Sequence, residues 1–254
     1  MALDEAILEA VSNGVSPPTL RFYAWNPPCI SLGVAQSIHD LDLKRLHSKR
    51  WDLVRRTTGG RAILHTDELT YAVVAPIGNR HVAGGVLESY RHLSLGLVAG
   101  LQNMGLRVEI EPEKKLSAQE RGNPVCFQAP SAYEITVKQR KLLGSAQVRR
   151  RSGILQHGTL PLRGDITRIC EVLQFENEEA RTSAAEALQD RAATVEHLLG
   201  EPISWDHAAG AMSEGFQQAL ELQFESGDPS SEELVRAEEL QCERFTNAQW
   251  TERM

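Results

Sequence analysis

The sequence predicts an α+β fold in which the first part of the chain builds a sheet and helices pack around it and at its end. Strand-like runs follow one another between Leu20 and Leu160, many with apolar residues in period two, and the period becomes helical from Ile166 onward. The charge divides at nearly the same point: residues 1–164 carry 21 Lys and Arg against 14 Asp and Glu, whereas residues 165–254 carry 6 against 20. At 254 residues, 41% hydrophobic and 24% charged, the chain is expected to form a single domain over 1–254, with a helical acidic part from about 165.

Met1 to Val11 places Leu3, Ile7, Leu8 and Val11 at helical spacing. Pro17-Pro18 breaks that pattern, Leu20 to Trp25 alternates as a strand, and Cys29 to Gly33 is apolar and β-prone. Leu41 to Lys49 fits a short helix. Trp51 to Val54 and Ala62 to Leu64 read as strands joined through Arg55-Arg56-Thr57-Thr58-Gly59-Gly60-Arg61, for which a hairpin loop is the plain expectation. Leu69 to Ala75 is a strand stopped by Pro76, and Val86 to Met104, closed by Gly105, is the clearest helix. Arg107 to Glu111 alternates, and Pro112 to Asn123 is a polar loop long enough to be functional. Tyr133–Val137, Lys141–Val148 and Gly153–Leu160 form a three-stranded meander with polar turns. Ile166–Leu173, Glu178–Leu188, Thr194–Leu199 and Trp205–Phe224 are helical, and Ser230-Ser231-Glu232-Glu233 has the form of a capping box opening a last helix through Leu240.

Several function classes are disfavoured. The formal net charge is −7 and no nucleic-acid-binding motif is present, so nucleic acid is not an expected partner. Residues 1–5 lack the basic and apolar regions of a signal peptide, and no run of about eighteen apolar residues occurs, so a cytoplasmic protein off the membrane is expected. Cys29, Cys126, Cys170 and Cys242 are scattered without a paired spacing or a nearby His cluster, which points to neither a metal site nor disulfides. The glycine loop has neither standard nucleotide-binding pattern.

Two regions can carry chemistry. Gly59 and Gly60 leave backbone N–H groups bare, and with Arg55, Arg56 and Arg61 beside them that surface suits a carboxylate, a phosphate or a polarised carbonyl. Cys126 follows Pro124 in an irregular segment with Lys138, Arg140, Lys141, Arg149, Arg150 and Arg151 within 25 residues, a setting that favours thiolate. Regular alternation would put Lys141, Leu143, Ser145 and Gln147 on one strand face, from which Lys141 could lower the thiol pKa and polarise a carbonyl. Spacing alone fits an ordinary turn and an ordinary loop cysteine better than it fits a site. His65 and His157 sit by glycine-bearing turns as candidate bases, without an obvious Asp or Asn partner.

Arg55 to His65 followed by Glu68-Leu69-Thr70-Tyr71 resembles the signature of the lipoate protein ligase and octanoyltransferase superfamily. Lys141-Leu142-Leu143-Gly144-Ser145-Ala146-Gln147 is similar to its substrate-lysine strand, Leu155-Gln156-His157-Gly158 to the strand that follows, and Met1–Ala6 and Gly33–Gln36 also fit. Cys126 in Val-Cys-Phe-Gln-Ala-Pro-Ser makes the chain most similar to the LipM-type octanoyltransferases, because ligases that form an adenylate need no nucleophilic cysteine.

The resemblance implies a central mixed, largely antiparallel sheet with flanking helices, of the biotin/lipoate protein ligase catalytic-domain type. It also implies transfer of octanoyl from octanoyl-acyl carrier protein to a lysine of lipoyl-domain proteins, such as the glycine cleavage H protein or E2 subunits, with no cofactor and no metal. Carried over by residue, Cys126 holds the acyl thioester and Lys141 assists it. Arg56, Thr58, Gly59, Gly60, Arg61, Ala62, His65, Gly144, Ser145, Ala146 and Gln147 line the pocket. An octanoyl amidotransferase and an ATP-dependent lipoate ligase are the enzymatic alternatives, and an inactive acyl-binding module is the alternative of another class. A monomer is expected. The resemblance also implies a strand ahead of the Met1–Ala6 helix that this sequence lacks, as a late start would produce.

Overall fold

A computed structural model describes residues 1–111 and 134–253. The expected loop at 112–123 and Cys126 lie outside the described residues.

Helix α1 (Ala2–Ser12) is followed by strands β1 (Thr19–Tyr23) and β2 (Cys29–Leu32), helix α2 (Leu43–Lys49), and strands β3 (Asp52–Arg55), β4 (Ile63–His65) and β5 (Glu68–Pro76). Helix α3 (Val86–Asn103) precedes strands β6 (Glu109–Glu111), β7 (Glu134–Val137), β8 (Arg140–Arg149) and β9 (Gly153–Pro161). Helices α4 (Glu178–Arg191), α5 (Val195–Leu199), α6 (Trp205–Leu220), α7 (Ser231–Leu240) and α8 (Ala248–Thr251) complete the chain.

The strands form two sheets: a six-stranded antiparallel one in the order β1-β5-β9-β8-β7-β6, and a three-stranded mixed one in the order β3-β2-β4. The α+β class and the meander β7-β8-β9 are as expected. The hairpin at 55–65 is not. β3 runs parallel to β2, to which α2 connects it, and β4 pairs with the other edge of β2, so the diglycine segment crosses over β2. A parallel pair needs such a crossover helix, whereas neighbouring strands in sequence tempt the eye to a hairpin.

Helices α3 and α6 cover one face of the large sheet, with Leu93, Leu97, Met212 and Phe216 in the same core as Tyr71, Leu143 and Leu160. The two helices approach closely because both carry glycine at the crossing: a Cβ on Gly215 would stand 2.1 Å from the Gly100 nitrogen. Helix α1 packs Ile7, Leu8 and Val11 on Ala72, Val74 and Leu155 of the opposite face. A second core joins Ile30 and Leu32 of the small sheet to Leu46, Leu173 and Leu188.

Smaller departures have local causes. Ile166–Glu171 is a 3-10 helix rather than an α-helix through Leu173, because Leu173 bridges Leu41 and the Val172 carbonyl accepts from the Asp42 N–H at 2.9 Å. Helix α6 stops at Leu220, where Glu221 turns left-handed with φ 51°. The capping box forms as read: Glu233 N–H donates to Ser230 Oγ at 3.1 Å and Ser230 N–H to Glu233 Oε2 at 2.9 Å.

Candidate functional site

The arginines around the diglycine turn do not form an open anion surface. Arg55 is fully buried and donates to the carbonyls of Gly33 (2.9 Å), Gln36, Trp250 (3.1 Å), Thr251 (3.2 Å) and Arg253 (2.8 Å), and its own carbonyl accepts from Trp250 Nε1 at 2.9 Å. It fastens the C-terminal segment to β3. Arg56 is also buried, with Nη1 donating to the Ser31 carbonyl (2.8 Å) and Oγ (2.9 Å) and Nη2 to the carbonyls of Gly59 (3.1 Å) and Arg61 (2.7 Å). These bonds hold the turn closed. Gly60 has φ 99°, and a Cβ on Gly33 would fall 2.0 Å from the Gly60 oxygen, so turn and β2 touch backbone to backbone.

Between this turn and the β8–β9 pair lies a cleft, partly open to solvent, of about 390 Å³. Arg56, Gly59, Gly60, Ile63 and His65 line it from the small sheet, Gly144, Ser145 and Ala146 from β8, and His157, Gly158 and Thr159 from β9. Most of the expected binding residues therefore converge on one space. Thr58 stands behind it, buried, with Oγ1 2.6 Å from His157 Nε2. Ala62 is packed in the small-sheet core, and Arg61 is half-buried. Ser145 Oγ turns to the Tyr71 hydroxyl at 2.6 Å, and Gln147 donates to Ser89 of α3 (3.1 Å) and to Gln156 (3.0 Å).

Lys141 is buried, but it does not share a face with Leu143, Ser145 and Gln147. Ile135 pairs with Leu143 while Thr136 pairs with Lys141, so Leu142 is an extra residue and the alternation slips there. Thr136 and Ile135 are neighbours on β7 and point to opposite faces, which puts Lys141 in phase with Gly144 and Ala146, although Lys141 is not itself among the residues that line the pocket. The bulge was invisible in a sequence that alternates plausibly without it.

The two candidate bases are both engaged. Burial, helped by Arg56 and His65 nearby and opposed by Asp4, pushes the His157 imidazole down to about 3, so it is neutral at physiological pH. His65 Nδ1 lies 2.7 Å from Glu68 Oε1 and its Nε2 2.7 Å from Ser31 Oγ. The acidic partner that the sequence reading sought as Asp or Asn is a glutamate three residues on, and a search for any carboxylate at that spacing would have found it. Trp25 stacks on the His65 ring at 4.3 Å and 17°. Cys29 and Cys170 are buried, and burial raises both thiols, that of Cys170 to about 11, whereas Cys242 is exposed. Among the described residues no three His, Cys, Asp or Glu side chains converge as metal ligands. The pocket is thus a small-residue cleft whose polar wall groups largely bond one another.

Comparison with known proteins gives the chain's family. The model of the lipoyl protein ligase A/B catalytic domain matches residues 1–217. Octanoyltransferase LipM of Brevibacillus brevis is 38% identical over 98% of this chain and 92% of its own length, and that of Moorella thermoacetica 40% identical over 100% and 93%. A bi-partite lipoate protein ligase from Thermoplasma acidophilum has a similar fold, with a TM-score of 0.82, 23% identity and coverage of 99% of this chain and 89% of the other. The chain belongs to the lipoyl protein ligase A/B catalytic-domain family, as an acyltransferase of the LipM octanoyltransferase type.

Proposed function

We propose that the protein transfers octanoyl from octanoyl-acyl carrier protein to a lysine of lipoyl-domain proteins, such as the glycine cleavage H protein or E2 subunits, as the first step of their lipoylation. The observation that supports this most is the convergence of Gly59, Gly60, Gly144, Ser145 and Ala146 on one cleft, with Lys141 in phase with Gly144 and Ala146 on β8. The Cys126 thiolate attacks the octanoyl thioester carbonyl, the carrier thiol leaves with a proton, and a Cys126 acyl-enzyme remains. The neutral ε-amine of the acceptor lysine then attacks that carbonyl, loses a proton, and expels the Cys126 sulfur as the amide forms. Exchange between thioesters is nearly balanced and amide formation is downhill, so the sequence runs without ATP.

In this reading Lys141 supports the thiolate as a cation and positions the carbonyl. Gly59 and Gly60 flank the acyl group, Gly144, Ser145 and Ala146 wall it from β8, and Arg56, Thr58, Arg61, Ala62, His65 and Gln147 hold those walls in place. The enzyme works as a cytoplasmic monomer without cofactor or metal. No helix among the described residues is long and apolar enough to cross a membrane. The reading is tested by incubating the enzyme with octanoyl-acyl carrier protein and an apo lipoyl domain. Octanoylation of the domain without ATP is expected; a requirement for ATP and free octanoate would replace the proposal with a ligase.

A further inference from the structure

Behind the pocket the buried polar groups form one chain of hydrogen bonds, and donor-only groups fix its direction at both ends. At one end Arg56 Nη1 donates to Ser31 Oγ at 2.9 Å. A guanidinium cannot accept, and a buried hydroxyl proton needs an acceptor, which gives the Ser31 proton to His65 Nε2, at 2.7 Å. At the other end Trp25 Nε1–H donates to Thr70 Oγ1 at 2.9 Å, and the Thr70 hydroxyl in turn donates to Glu68 Oε1. The Thr159 hydroxyl donates to Glu68 Oε2. His65 Nδ1 stands 2.7 Å from Glu68 Oε1. With Nε2 accepting from Ser31, the neutral ring carries its proton on Nδ1 and aims it at a carboxylate that already receives two hydroxyls. Ser31, His65 and Glu68 are all buried, so bulk water does not compete for these bonds.

We infer that Glu68 is a positioning residue of the pocket: it holds His65 as the Nδ1–H tautomer and, through Ser31, sets the Arg56 guanidinium that carries the diglycine turn. The last link runs from Arg56 Nη2 to the carbonyls of Gly59 and Arg61, at 3.1 and 2.7 Å. His65 is then an oriented wall group with both nitrogens engaged, and it neither takes nor gives a proton in the reaction. The effect on rate rests on the acyl-transfer reading; the tautomer does not.

The test combines a spectrum with kinetics. In protein labelled with ¹⁵N-histidine, His65 of the wild type should show a protonated Nδ1 and an unprotonated Nε2; a protonated Nε2 would overturn the inference outright. Glu68→Gln keeps an acceptor oxygen for the Nδ1–H and should retain the tautomer and most of the activity. Glu68→Met matches the size without an acceptor. It should lose the single tautomer and lower kcat by on the order of 10- to 100-fold, with KM for the carrier substrate little changed. If Glu68→Met does not fold, Ser31→Ala breaks the chain on the other side of His65 and should give the same split between kcat and KM. Wild-type kcat in the variant that folds would refute the positioning role. Because the tautomer is read without substrate, failure of the acyl-transfer reading leaves that arm intact.

Discussion

Lys141 and Leu143 stand on opposite faces of β8 although they are two residues apart, because Leu142 is an extra residue in the pairing with β7. Deleting Leu142 restores period two with Lys141 still opposite Thr136, on the face of Gly144 and Ala146. Transfer should then be largely retained in the variant that folds, whereas Lys141→Ala should lose about 100-fold or more. Leu142 is itself buried, so a thermal melt must accompany the rate measurement. A folded deletion variant with transfer as low as that of Lys141→Ala would contradict the phase argument.

The imidazole of His157, pushed down to about 3 by burial, links stability to pH. Below the ordinary histidine value of about 6.5 the unfolded chain takes up a proton that the folded protein refuses. Stability is therefore complete above about pH 6.5 and is lost as pH falls toward 3, by on the order of 5 kcal/mol at most. His157→Gln, which can still bond Thr58, should flatten the fall of Tm between about pH 7 and 4.5. An unchanged slope in that variant would assign the acid sensitivity to other groups.

Arg55 satisfies five carbonyl groups, three of them in the C-terminal segment Trp250 to Arg253. Lysine cannot reproduce that planar fork, so Arg55→Lys should cost roughly 2–4 kcal/mol and release the segment first. Hydrogen exchange should rise in residues 248–253 ahead of the sheet. Equal protection in variant and wild type would show that the segment is held by other contacts.

Acidic carrier and lipoyl domains are expected to approach the basic β7–β8–β9 turns, but not all of those cations are free to steer. Arg149 donates to the carbonyls of Val82 (3.3 Å) and Gly84 (2.9 Å), and Arg150 is paired with Glu5, so reversing either charge disturbs the fold. Lys138 and Arg151 are exposed. Lys138→Glu with Arg151→Glu should raise KM for the carrier protein and weaken its salt dependence, with kcat retained. An unaltered salt response would remove this docking surface.

What the sequence made legible and what it hid follow from the range of the interactions. The meander could be read because Lys138 and Gln139, with φ 52° and 62°, form a tight turn between alternating strands, a local signal. Most of the pocket residues could be placed because the glycine turn and the Gly144–Ala146 run each occupy a short stretch. The order β3-β2-β4 was hidden, since nothing local says that β3 pairs back across α2 with β2. The burial of Arg55 was hidden because three of its five carbonyl partners lie 195 to 198 residues away, at the other end of the chain. Glu68 escaped as the partner of His65 because a carboxylate three residues from a histidine is common, and only the fold brings Thr70, Thr159 and Ser31 into line with it.

The central claim is that Cys126 carries the acyl group, and the intact mass of the protein after incubation with octanoyl-acyl carrier protein, without ATP and without acceptor, tests it directly. The wild type should gain one octanoyl group that hydroxylamine releases. Cys126→Ser should gain none, because a hydroxyl without a matched base is a weak nucleophile. Cys29→Ser, Cys170→Ser and Cys242→Ser should still be acylated. An unmodified wild type, or a Cys126→Ser variant that gains the same mass, would contradict the account.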